Sequence, residues 1–332
     1  MRRTLIIAEA GVNHNGSIAI AKRLAQTAKE CGADIVKYQT ANLDSLVSGT
    51  AQMADYQKQN TGQSTGQKDM LSKLLLTKEE FMELSAYCTE IGIDFLSTPF
   101  DIDSIRFLER IGCERWKVPS GEITNLPYLL RIAETGRPII LSTGMSTMDE
   151  VFAAYDLLMK NGAGEITLLH CTTQYPAPFV DVNLSAMQTL QRVFGCPVGY
   201  SDHTQGIEIS LAAVAMGASI IEKHFTLDRS MKGPDHKASL EPKELKALVT
   251  SIRNIEIALG NGEKKPMQSE QGNITIARKS IIAACDIKRG ELLDERNLTT
   301  KRPGNGISPM KWYEILGTAA IRDFKEDELI EV

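Results

Sequence analysis

Apolar and polar positions along this chain follow two alternating periods. Short runs of aliphatic and β-branched residues occur at Leu5–Ala10, Ile35–Gln39, Phe95–Thr98, Trp116–Pro119, Ile139–Ser142, Ile166–His170, Val198–Ser201 and Ile220–His224. Between them lie stretches with apolar residues every three or four positions, such as Ile18–Cys31, Lys78–Ile91, Asp103–Ile111, Met148–Asn161 and Ile207–Met216. The first pattern predicts strands and the second amphipathic helices. Strand and helix in regular alternation predict a parallel sheet of right-handed βαβ units. Eight such units within about 260 residues match the (β/α)8 TIM barrel, whose usual size is about 250. The turn after the first run, Gly11-Val12-Asn13-His14-Asn15-Gly16, lacks the G-x-G-x-x-G spacing of a doubly wound dinucleotide fold. The α/β barrel is therefore the predicted architecture.

Two segments interrupt the rhythm. Residues 41–76 are long, polar and rich in Gln, Ser and Thr, which after a barrel strand predicts a functional lid or a mobile insertion. From Gly260 to Gln271 the apolar period disappears, the signature of a connector. The remainder carries short apolar runs separated by turns. These shifts predict a catalytic barrel over 1–260, a linker over 261–279 and a small domain over 280–332. A segment that short is expected to bury little core of its own and to dock onto another surface.

Composition narrows the function. A net charge of −5 provides no general footprint for nucleic acid or an anionic membrane, so any anionic ligand must meet a few focused cations in a cleft. No run approaches the roughly 20 apolar residues of a membrane span. The apolar stretch from Leu5 to Ala8 is shorter than the core of a secretory leader. Six cysteines without a C-x-x-C pair read as reduced core thiols. A cytoplasmic protein is expected.

Barrels of this kind place their chemistry at the carboxyl ends of the strands. Those ends bring Glu9, Lys37, Gln39, Thr98, Lys117, Ser120, Glu122, Ser142, Thr173, Ser201, His203 and His224 to one rim, and all five histidines of the chain fall there or close by. A lone histidine at a strand end usually satisfies a structural bond, but five on one rim point to an active site. His203 and His224 end neighbouring strands about 4.8 Å apart. They either share an open-sided divalent ion, with positions left for water and substrate, or hydrogen-bond structurally. Lys37 and Lys117 lie within strands, where an unpaired ammonium is costly. Each either pairs with a carboxylate such as Glu9 or Glu122, or awaits an anion. The hydroxyls of Thr98, Ser120, Ser142 and Ser201 would complete a phosphate cradle. Tyr175 and Asp235 lie in turns that follow the sixth and eighth strands.

These residues stand in motifs that resemble the bacterial sialic acid synthase family: I-I-A-E-A-G-V-N-H-N-G at 6–16, V-K-Y-Q-T at 36–40, L-S-T-P-F-D at 96–101, K-V-P-S-G-E at 117–122, L-S-T-G-M at 141–145, L-L-H-C-T at 168–172, Y-S-D-H at 200–203, I-E-K-H-F-T at 221–226, G-P-D-H at 233–236 and K-R-P-G-N-G-I-S at 301–308. The resemblance implies a barrel followed by an antifreeze-like (SAF) domain. It implies His203 and His224 as ligands of a divalent metal, manganese first, with magnesium or cobalt as alternates. Lys37, Thr98, Lys117, Ser120, Ser142, Thr173 and Ser201 then hold phosphoenolpyruvate, although some members carry Asn at the position of Thr173. Gln39, Glu122, Tyr175 and Asp235 would face the acceptor sugar, and Glu9, Glu122 and Lys117 the reacting centre. The small domain would cover the barrel of a partner in a homodimer and bring Arg302 to the sugar's acyl group.

The expected activity is N-acetylneuraminate synthesis: condensation of phosphoenolpyruvate with N-acetylmannosamine, with C–O cleavage and phosphate release. The alternative is legionaminic or pseudaminic acid synthesis from a diacetamido-trideoxy hexose. A metal-dependent hydrolase or aldolase on the same barrel fits less well, since such sites normally supply three or more ligands. A carbohydrate- or surface-binding protein acting through the C-terminal module alone fits least. The module resembles antifreeze folds, but ice binding needs a flat, weakly charged face, and Lys288, Arg289, Glu291, Asp294, Glu295 and Arg296 argue against that.

Overall fold

The computed structural model describes residues 3–46 and 66–332. Its first unit is an eight-stranded, wholly parallel sheet: β1 (Leu5–Gly11), β2 (Ile35–Thr40), β3 (Asp94–Pro99), β4 (Trp116–Val118), β5 (Ile139–Ser142), β6 (Ile166–Cys171), β7 (Val198–Asp202) and β8 (Ile220–His224). Ladders run in sequence order, and β1 also pairs with β8. β3 and β4 stand side by side at the remaining seam. The result is the predicted (β/α)8 barrel.

Local chemistry sets the element ends. Ser17 caps the helix Ile18–Cys31, which stops at Gly32 in a left-handed conformation, φ 87°; glycine takes that conformation without a Cβ penalty. Thr77 with Glu80 and Thr147 with Glu150 form reciprocal capping boxes at the starts of Lys78–Ile91 and Met148–Lys160. The first helix buries Ala21, Leu24, Ala25, Ala28 and Cys31, one stripe at helical spacing against the sheet. Hydrophobic burial between sheet and helices forms one continuous core around Trp116, Tyr38 and Tyr200. Among the described residues, no helix is long and apolar enough to cross a membrane.

The chain divides into two compact units between Asn261 and Gly262. The stretch read as a connector is not bare, since it contains the helix Gln271–Ala277. The C-terminal unit pairs β9 (Ser280–Ala283) antiparallel to β10 (Leu298–Lys301). It also differs from expectation in having a core of its own, with Ile281, Ile287, Leu293, Leu298, Ile315, Phe324 and Ile330 buried together. Scattered single apolar residues in a turn-rich sequence obscure such a cluster, because turns rather than a periodic face bring them together.

Of the polar stretch 41–76, residues 47–65, which carry most of the expected lid, lie outside the described residues. Its described flanks form short helices at Leu43–Leu46 and Gln67–Ser72.

Candidate active site

Side chains alternate across a strand, so Glu9 on β1, Lys37 and Gln39 on β2, Lys117 on β4, Ser142 on β5, Ser201 on β7, and Glu222 and His224 on β8 all turn into the barrel mouth. They line a cavity of about 500 Å³ together with Thr98, Ser120, Thr173, Tyr175, His203 and Asp235. A bulge separates Glu9 from Gly11 in the β1–β2 ladder. A Cβ at Gly11, φ 52°, would stand 3.2 Å from Glu9 Oε1, so glycine keeps this rim open.

The floor is a chain of alternating charges, all buried. Lys37 Nζ lies 2.7 Å from Glu9 Oε2 and 3.3 Å from Glu222 Oε2. Lys117 Nζ lies 3.6 Å from Glu222 Oε1 and donates to Ser142 Oγ at 2.8 Å. Lys37 donates to Thr98 Oγ1 at 3.2 Å, and Ser201 Oγ donates to Glu222 Oε1 at 2.8 Å. The two carboxyls differ in protonation. Burial, opposed by Lys37 and reinforced by Glu222, pushes Glu9 up to about 7. Burial also works against the charged form of Glu222, but Lys117, Lys37 and Ser201 outweigh it and hold that group at about 2. Carboxyls driven apart in this way take different roles, one a permanent anion and the other able to gain or lose a proton near neutral pH. Once Glu9 is protonated, two ammoniums face a single carboxylate, and the floor attracts an anion.

His203 and His224 stand beside this floor, His224 level with Glu9 in the β1–β8 register, with ring centroids 5.7 Å apart and Tyr175 within 4.1 Å of the His203 ring. His203 Nδ1 donates to the Thr172 carbonyl at 2.6 Å, which fixes its tautomer and makes Nε2, 3.3 Å from Ser201 Oγ, the nitrogen with the lone pair. Among the described residues, buried Nδ1 of His224 has no hydrogen-bond partner. Burial lowers His203 to about 4; burial and the neighbouring imidazole keep His224 well below its ordinary value. Two neutral imidazoles this close, one with an orphaned nitrogen, fit an open-sided divalent cation. Among the described residues, no third His, Cys, Asp or Glu joins them in a metal-binding group. Burial raises Asp235, on the cavity wall, to about 6.

Some sequence expectations need correction. Glu122 does not line the cavity; its carboxylate accepts from Asn125 Nδ2 at 2.6 Å. The turn Ser120–Glu122 is 3₁₀, which rotates successive side chains by about 120°, so Ser120 faces inward and Glu122 does not. Neither lysine pairs with Glu122. Its place is taken by Glu222, which the sequence puts at the same rim without a role and which bridges both lysines. It lies two positions before His224, so strand alternation was the available signal. Three of the five histidines do not line the cavity. His14 Nδ1 accepts from the Gly16 amide, His170 Nε2 donates to the Val182 carbonyl, and His236 Nδ1 shares a hydrogen with Thr226 Oγ1. Arg302 belongs to the C-terminal unit, where its Nε donates to the Ala277 carbonyl.

Comparison with known proteins gives a consistent picture. A model described as the NeuB family matches residues 24–264, and a SAF domain model matches 278–331. N,N'-diacetyllegionaminic acid synthase of Campylobacter jejuni is 56% identical over 99% of both chains. The protein of the same name from Legionella pneumophila is 49% identical over 94% of this chain and 89% of its own. The crystal structure of an N-acetylneuraminic acid synthetase from Leptospira borgpetersenii, in complex with citrate, is 38% identical and covers 82% of this chain and 90% of its own, with a TM-score of 0.72.

Proposed function

This chain belongs to the NeuB family, and from that premise we propose that it is a phosphoenolpyruvate-dependent synthase that builds a legionaminic-type nine-carbon acid on a diacetamido-trideoxy hexose. Identity of 56% and 49% to two legionaminic acid synthases, against 38% to an N-acetylneuraminic acid synthetase, favours this acceptor over N-acetylmannosamine, the acceptor first expected from the sequence.

The observation that carries the enzymatic reading is the buried Lys37–Glu222–Lys117 array beside two neutral imidazoles in one mouth. Lys37 and Lys117, with the hydroxyls of Thr98, Ser120, Ser142, Thr173 and Ser201, hold the phosphate and carboxylate of phosphoenolpyruvate, so their contribution is positioning and charge stabilisation. A divalent ion held by His203 and His224, manganese first among the candidates, would supply Lewis-acid polarisation of the acceptor aldehyde. Carbon 3 of the enol attacks that aldehyde carbon. Water then adds at carbon 2, and phosphate leaves with the bridging oxygen. Glu9, poised near neutrality, is the group that exchanges a proton with the nascent alkoxide or the attacking water. Gln39, Tyr175 and Asp235 face the acceptor. Arg302 of a second protomer completes the acyl pocket, which requires a homodimer with the 280–332 domain over the partner's barrel.

Phosphate release from phosphoenolpyruvate is the assay, with Mn2+ and, in turn, the diacetamido-trideoxy hexose, its pseudaminic-type isomer and N-acetylmannosamine. The first is expected to give the highest kcat/KM. Preference for N-acetylmannosamine would return the acceptor assignment to sialic acid, and silence with all three would refute the synthase.

A further inference from the structure

On the opposite face of the strands that carry the two imidazoles lies a charged pair that the chemistry above leaves unused. Asp202 and Lys223 are cross-strand neighbours, the last matched positions of the β7–β8 ladder. They are 1% and 2% exposed, with Lys223 Nζ 2.8 Å from Asp202 Oδ2. The ammonium also donates to the Thr204 carbonyl at 2.7 Å. Asp202 Oδ1 accepts from the Thr204 amide at 2.9 Å and from its hydroxyl at 2.7 Å, and Oδ2 accepts from Ser210 Oγ at 2.6 Å.

The sequence positions give this network its meaning. His203 lies between Asp202 and Thr204, and both of those residues are fastened to Lys223. His224 directly follows Lys223. The ladder ends one residue before His203, so pairing with β8 does not hold that residue in place. Lys223 instead staples the turn bearing one imidazole to the strand bearing the other. Burying an ion pair costs so much desolvation that an apolar pair of similar volume is often as stable, and fixing register is the best-attested use of such a pair.

We propose that Lys223 and Asp202 are positioning residues that set the spacing and aim of His203 and His224, and thereby the affinity of the site for a divalent cation. The proposal rests on the metal-binding role given to those histidines.

Uptake of Mn2+ by the intact protein, read from the loss of the free-ion EPR signal, tests it without reference to turnover. Lys223→Met and Asp202→Asn are each expected to weaken Mn2+ binding roughly 10- to 100-fold, the usual cost of losing an outer partner of a metal ligand. Because each single change strands a buried charge, the decisive variant is Asp202→Asn/Lys223→Met. It leaves no charge stranded at this pair, and the new amide still serves Thr204 and Ser210. Weak Mn2+ binding in that variant, with a wild-type Tm and an unchanged KM for phosphoenolpyruvate at saturating Mn2+, supports positioning. Wild-type Mn2+ affinity overturns it, and so does loss of the cooperative unfolding transition, which would make the pair structural. If the wild-type protein takes up no Mn2+, the metal reading fails and this inference fails with it.

Discussion

Glu9 and Glu222 carry the same functional group and touch the same ammonium, yet one sits near 7 and the other near 2. The difference is the number of cations each meets: Glu222 reaches both lysines, while Glu9 contacts Lys37 alone. The consequence for stability has opposite sign in the two cases. Between the ordinary value of 4.5 and about 7, Glu9 keeps a proton in the folded protein that the unfolded chain has lost, so its contribution falls as pH rises through that window. Glu222 contributes stability that is present above 4.5 and lost as pH falls toward 2. Glu9→Gln should therefore gain stability relative to wild type as pH rises from 4.5 to 7 and level off above. Parallel urea titrations at several pH values measure this, and a flat difference would contradict it. Lys117→Met removes a charge-assisted bond of about 1.5–3 kcal/mol, so kcat/KM for phosphoenolpyruvate should drop roughly 10- to 150-fold. Steady-state assays varying each substrate separately should leave KM for the acceptor sugar unmoved.

Strand alternation turns a line of sequence into a wall of the site, and β7 shows how little room that leaves. A Cβ on Gly199 would lie 2.5 Å from the Ile220 carbonyl oxygen and 2.7 Å from Leu169 Cδ2. Gly199→Ala must then push β6 or β8 aside, at a cost of about 1–3 kcal/mol by the measure of overpacked cores. Chemical denaturation should register that loss, together with weaker Mn2+ uptake as β7 shifts against β8. Strands and helices of this unit follow their sequence periods to within a residue or two, because their faces are set by local alternation and capping. The turns after the strands carry no such signal. The 3₁₀ geometry at Ser120–Glu122 has no apolar period of its own, so nothing in the sequence distinguishes Glu122 from an inward residue.

The chain joins a barrel with its own core to a smaller unit with its own core. Independent cores predict that a chain ending after Asn261 still folds cooperatively. In the proposed dimer it would nonetheless lose phosphate release, because the partner's whole small domain, Arg302 included, is gone. Circular dichroism melts and the phosphate assay on that truncation test both statements, and unchanged turnover would remove the small domain from the active site. Arg302→Ala in the full chain should raise the acceptor KM and leave the dimer intact in light scattering.

The order of elements, the barrel class, the rim on which chemistry gathers, and most of the residues that meet there were set by the sequence alone, because hydrophobic period and strand alternation are local properties. Tertiary structure decided which groups pair. Strand parity turns His170 out of the barrel and His224 into it, but the partner that His170 then meets, the Val182 carbonyl, is supplied by the folded chain after β6. Lys37 and Lys117 meet over Glu222 because barrel curvature brings β2, β4 and β8 to one axis, and no spacing along the chain encodes that distance.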